Sequence, residues 1–124
     1  MKKILKNEEM VAMLQQLQPL LSHKDMFGYV AARNTRILSE CLTEYDQTRK
    51  DLIERFGTET TDTNTGITSC AIKIGTSEFK SFCEALEPFN KIEHEVELMT
   101  MKYNDAIGVL SGEEILAIDW MLED

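Results

Sequence analysis

The chain has 124 residues and a net charge of −9, with 13 Lys and Arg against 22 Asp and Glu. Such a surface repels duplex nucleic acid and anionic membranes, whose affinity comes from pooled basic charge, yet a local basic patch can still hold a small anion. The length fits a single domain, 1–124, and an apolar fraction of 43% with 28% charged residues argues against wholesale disorder.

Lys2, Lys3 and Lys6 look briefly like the basic start of a signal peptide, but Glu8 and Glu9 interrupt before any apolar run develops. No stretch approaches the ~20 apolar residues that span a bilayer. The expected location is the cytoplasm. Asn7, followed by Glu8 and Glu9, offers a cap and then acids facing the positive end of a helix dipole. Met10, Leu14 and Leu17 give an apolar stripe, so a first helix is expected over about 7–20, bent or ended by Pro19.

Ser22, with Asp25 three residues on, can cap a second helix. Its apolar positions run Phe27, Val30, Ala31, Leu38, Cys41, Leu42, Tyr45, Leu52 and Phe56, at helical steps without a proline. Gly57 suits the left-handed position after a helix end, which predicts one long helix over about 23–56. Thr58 to Gly66 is polar and rich in turn formers, so a loop is expected there. Ile67 to Ile74 is β-branched and apolar and reads as a strand. Gly75 breaks it, Thr76 caps a third helix carrying Phe79, Phe82, Cys83 and Leu86, and Pro88 closes that helix early.

Glu95 to about Tyr103 alternates outward Glu95 and Glu97 with inward Val96 and Leu98, which predicts a second strand. A connection follows from Asn104 to Leu110. Ser111 and Glu114 form a capping box that opens a final helix with Ile115, Leu116, Ile118, Trp120 and Met121. The expected class is therefore α+β, mainly helical, with a long central helix and two short strands packed against helices. A strand–helix–strand unit would pair those strands in parallel.

A helix of 34 residues would reach ~50 Å at ~1.5 Å rise. A compact domain of this length is only about 35 Å across. The expectation is a homo-oligomer formed along that helix; the alternative is a monomer whose helix kinks, for instance at Gly28.

The chemistry-bearing residues are sparse. His23 and His94 stand alone, and no Cys or His has a partner at zinc-site spacing. Cys41, Cys70 and Cys83 read as reduced, mostly buried thiols. No nucleophile elbow or glycine-rich phosphate loop is present. No catalytic residue, metal or cofactor is expected, and the protein is read as not an enzyme. The Met run (Met99, Met101, Met121) and Trp120 read most simply as core.

One segment stands out. Lys24, Arg33 and Arg36 concentrate positive charge in an acidic chain, and Tyr29, Arg33 and Arg36 fall on one helical face at i, i+4 and i+7. An aromatic ring that can stack a base beside guanidinium groups that can grip a phosphate is what a nucleotide site needs. Asn34 lies on or beside the apolar stripe, where it would read a base edge or set helix register. The candidate ligand-binding residues are thus Lys24, Tyr29, Arg33, Asn34 and Arg36. The plainer reading is a solvated face with ion pairs to Asp25 or Glu40.

Four stretches carry a resemblance: LKN at 5–7, YVAARNTRIL at 29–38, LIERFG at 52–57 and LSGEEILAIDWMLED at 110–124. In their pattern of residue types they resemble small proteins of phages and prophages of Gram-positive bacteria. The chain departs from them in its middle loop, where such proteins often carry a longer, more charged hairpin. The resemblance implies a phage accessory protein acting in the host bacterial cytoplasm. Two roles follow from it: a counter-defence sponge that sequesters a cyclic nucleotide immune signal without catalysis, or a structural, assembly or protein–protein interaction module.

Overall fold

A computed structural model describes residues 1–124. The chain divides into two compact units, one formed by Met1–Leu42 with Glu93–Asp124 and the other by Thr43–Ile92. It is α+β and mostly helical, with six α-helices and three two-stranded sheets.

The first unit opens with strand β1 (Lys2–Lys6), helix α1 (Asn7–Leu17) and a 3-10 turn over Gln18–Ser22 that contains Pro19. Helix α2 (Met26–Cys41) follows, capped by Asp25, whose carboxylate accepts from the N–H groups of Phe27 at 3.0 Å and Gly28 at 3.4 Å. Gly28 is there for space: a Cβ at this position would lie 1.9 Å from the carbonyl oxygen of His23. The core of this unit is built from Met10, Leu17, Leu20, Val30, Leu38, Leu98, Ile118 and Met121, all at most 2% exposed.

β1 pairs antiparallel with β4 (Glu93–Glu97), in the register Lys2–Glu97, Ile4–Glu95 and Lys6–Glu93. One face of this ribbon buries Leu5 and Val96. The other places two lysines opposite three glutamates, so opposite charges directly across the strands support the register. The unit closes with β5 (Met101–Lys102), α5 (Tyr103–Ala106), α6 (Gly112–Ala117), a 3-10 turn at Asp119–Met121, and β6 (Leu122–Glu123), which runs parallel to β5.

The second unit holds α3 (Thr43–Phe56), a hairpin of β2 (Thr58–Thr61) and β3 (Thr68–Ala71), and α4 (Ser77–Asn90). α4 is capped by Thr76, whose hydroxyl accepts from the Phe79 N–H at 3.2 Å, directly after Gly75 takes a positive φ of 89°. Tyr45 of α3 is buried and donates from its hydroxyl to the side-chain oxygen of Asn90 in α4 at 2.5 Å.

Several expectations are corrected. The long helix of 23–56 does not exist, because it breaks at Leu42, where φ −91° and ψ 2° leave the helical basin. The Leu42 N–H divides its bond between the carbonyls of Leu38 at 3.1 Å and Ser39 at 3.2 Å, a tightened last turn. No glycine or proline marks the place, and buried Leu38, Leu42 and Tyr45 keep helical spacing across it. Helices of 16 and 14 residues measure about 24 and 21 Å. Length therefore no longer argues for a second copy.

Ser22 is not the cap of α2; its hydroxyl donates instead to the Pro19 carbonyl at 3.3 Å. Gly57 has no positive φ; it lets β3 come close, since a Cβ there would lie 2.8 Å from the Cys70 sulfur. The loop expected at 58–66 supplies β2, because its threonines are β-branched and a complementary strand follows within seven residues. Pro88 sits inside α4, near enough to the end that the helix runs on to Asn90. The expected parallel pairing across α4 is absent: the strand at Glu93 pairs antiparallel with the N-terminal strand Lys2–Lys6.

Candidate functional site

Four of the five candidate residues, Tyr29, Arg33, Asn34 and Arg36, lie on α2. Its buried face carries Phe27, Val30, Ala31, Asn34 and Leu38 into the core, so the helical period turns Tyr29, Ala32, Arg33 and Arg36 outward together. Those four residues line one shallow depression of about 180 Å³. Tyr29 is 60% exposed. Lys24 is exposed ahead of the helix and does not line the depression.

Neither guanidinium group has an acid partner in the chain. Asp25, one of the two acids at hand, is taken up as the cap of α2 and by His23. Arg33 and Arg36 therefore stand three residues apart as like charges with nothing between them, a mildly unfavourable pair that an anion relieves.

Asn34 does not belong to this face. It is fully buried, and its amide clamps one peptide of the chain. The Nδ2 group donates to the Met99 carbonyl at 3.0 Å, and the Met99 N–H donates to Oδ1 at 2.9 Å. Both ends of the side chain are occupied, so it has no free edge to offer a ligand. Of the two roles expected for it, base reading falls away, and what it does is lock α2 to the segment after β4.

A second cluster was not visible in the sequence. The imidazole of His23 lies with Nε2 2.8 Å from Glu114 Oε2 and Nδ1 3.6 Å from Asp25 Oδ2. The hydrogen bond to Glu114 raises the His23 pKa above 6.5, against some loss of solvation, and Asp25 adds to the rise. Glu114 is lowered in turn, first by the Ser111 backbone N–H and then by His23. Ser111 and Glu114 form the expected capping box, with N–H to Oγ at 3.1 Å and N–H to Oε1 at 3.0 Å. One imidazole thus ties the caps of α2 and α6 together.

Beside this clasp, Gln16, Pro19, Leu20, Glu113 and Ala117 line a cleft of about 250 Å³ with Glu114. Gln16 accepts from the indole N–H of Trp120 at 2.8 Å. Both ring nitrogens of His23 face carboxylates, and the cluster reads as a structural tie between two helix caps. The only sequence signal for it is the pair of caps themselves; 91 residues separate the partners.

The thiols are free, and none is buried: Cys41 and Cys70 are half-buried and Cys83 exposed. Cys83 follows Phe82 and so turns off the buried Phe82–Leu86 stripe. Of the residues read as core, Met121 is buried, Met101 and Trp120 are half-buried, and Met99 is 37% exposed. No group of His, Cys, Asp and Glu has metal-site geometry, and no helix is long and apolar enough to cross a membrane. No family model matches the chain, and searches of curated proteins and of solved structures found no match.

Proposed function

We propose that this protein is a non-enzymatic binding module that uses the outward face of α2 to hold an anionic group, a nucleotide phosphate first among them. The observation that carries the reading is the joint exposure of Tyr29, Arg33 and Arg36 around one depression, with both guanidinium groups unpaired. The arginines grip the phosphate and the ring stacks the base. In the phage setting that the sequence resemblance implies, this is a counter-defence sponge for a cyclic nucleotide.

Size limits what one face does. Sites that enclose a small molecule measure ~300–1,000 Å³, well above the 180 Å³ here. A single face holds a phosphate and part of a base, and full enclosure needs a second copy laid over it. That requirement, and no longer helix length, is the argument for a homo-oligomer.

A second reading rests on the same exposure. Tyr, Met and Arg are enriched in the centres of protein interfaces, and Met26 is 60% exposed near Tyr29. Under this reading α2 engages a protein, in the structural or assembly role.

Thermal shift against cyclic di- and trinucleotides and cyclic ADP-ribose isomers at about 100 μM separates the two. The nucleotide reading expects a raised melting point with at least one ligand, abolished in Arg33→Ala and Arg36→Ala. No response across the panel overturns it and leaves the protein-binding reading. Light scattering with and without ligand tests the second copy.

A further inference from the structure

The hairpin and α3 form a groove of about 590 Å³. On its strand side it is lined by Thr68, Ser69 and Cys70 of β3. Successive residues of a strand point to opposite faces. A cavity that touches three in a row therefore reaches the backbone edge of β3 and not merely one face of the hairpin.

That edge is open. β2 is the sole sheet partner of β3. The Asp62 N–H donates to the Ile67 carbonyl at 2.9 Å, and the same register makes Thr60–Ser69 and Thr58–Ala71 the hydrogen-bonded pairs. The peptide groups of Thr68 and Cys70 consequently point away from β2, with N–H and C=O groups available to a further strand. β3 carries no charge, proline or bulge, the devices that keep an edge from pairing. Gly57 lies close to the Cys70 sulfur and the Ala71 carbonyl.

The α3 wall defines the partner. Asp46, Lys50 and Glu54 line the groove at i, i+4 and i+8, ~6 Å apart along the helix axis, with Arg49 beside Lys50. None of these four makes an ion pair within the chain. Side chains on one face of an extended strand recur every ~6.6 Å, nearly the same repeat. The complement of acid–base–acid on the helix is base–x–acid–x–base on the strand. Glu59, from β2, adds a further carboxylate for a basic side chain.

We infer that this groove docks an extended peptide of pattern Lys/Arg-x-Asp/Glu-x-Lys/Arg, which adds to β3 as a third strand. Main-chain bonds to Thr68 and Cys70 supply adhesion, and the alternating charges on α3 supply register.

The test is fluorescence anisotropy of the full chain with capped, labelled peptides centred on Lys-Val-Glu-Val-Lys or on its inverse, Glu-Val-Lys-Val-Glu. The first should bind saturably and about tenfold more tightly than the second. Lys50→Glu, a change at an exposed position, should narrow the preference without reversing it, because it turns one of three matched pairs of the first peptide into a clash and one of three clashes of the second into a match. N-methylation of alternate residues in the first peptide should abolish binding in one parity and spare it in the other, as strand addition requires. Absence of saturation up to about 1 mM, equal binding of the two peptides, or indifference to N-methylation in both parities overturns the proposal.

Discussion

The two units of this chain hold themselves together by different means. In the unit of Met1–Leu42 and Glu93–Asp124, side chains from both ends of the sequence close over one another, with Met10, Leu17, Leu38, Ile118 and Met121 at 0% exposure or close to it. Its specific bonds are long-range in sequence: Asn34 to Met99, His23 to Glu114, Gln16 to Trp120. In Thr43–Ile92 the buried apolar residues are Tyr45, Phe82 and Leu86, and every residue of β2 is exposed. Its sheet is a hairpin between neighbours, closed by side-chain hydroxyl contacts such as Thr61 with Thr68 at 3.1 Å. A unit closed by distant contacts unfolds as a block, whereas a solvent-facing hairpin opens at lower cost. Low cost of opening suits a hairpin whose edge accepts another strand.

The largest effect should fall on the buried amide of the first unit. Asn34→Leu strips both partners from the Met99 peptide and leaves its N–H and C=O unsatisfied inside the protein. The expected loss is about 2–4 kcal/mol in chemical denaturation. A loss below that of any single polar contact in the second unit would break the comparison.

Gly28→Ala comes next. Its new methyl collides with the His23 backbone, which flexible side-chain motion cannot relieve, so about 1–3 kcal/mol should be lost. A variant as stable as the parent would show that the approach of His23 to α2 is loose. In the second unit, Tyr45→Phe removes the bond to Asn90 and should cost only about 1 kcal/mol by the same measurement.

The smallest effect is in the pH profile. The His23 pKa is raised on folding, so its contribution is complete below about 6.5 and is lost as the pH climbs through the raised value. Glu114 is lowered, so its contribution is complete above about 4.5 and is lost as the pH falls through the depressed value. The clasp is strongest between those limits. Melting temperature should fall more from pH 6 to pH 8 in the parent than in His23→Gln; parallel slopes would remove His23 from the account.

Local patterns were legible because they are decided within a turn or two of chain. The Ser111–Glu114 box, the Thr76 cap, the turn at Gly75 and the inward Val96 and Leu98 all stand where the sequence puts them. The outward grouping of Tyr29, Arg33 and Arg36 is of the same kind, since helical period alone places them together. The break at Leu42 was not legible: the apolar spacing runs through it, and its backbone angles and the divided bond of its N–H appear only in the folded chain. The pairing of Lys2–Lys6 with Glu93–Glu97 was hidden by distance, as alternation shows which face a strand buries but not which strand it meets.

Composition and periodicity alone determined that this is an acidic, mainly helical α+β chain with one cationic helical face. Those properties depend on residue type and on neighbours three or four positions away. Tertiary structure alone decided that Asn34 serves a peptide bond rather than a ligand, that His23 has two carboxylates for company, and that β3 keeps an open edge beside a charged helix. Each of those turns on which groups from separate elements come together in space, and a one-dimensional pattern does not encode that proximity.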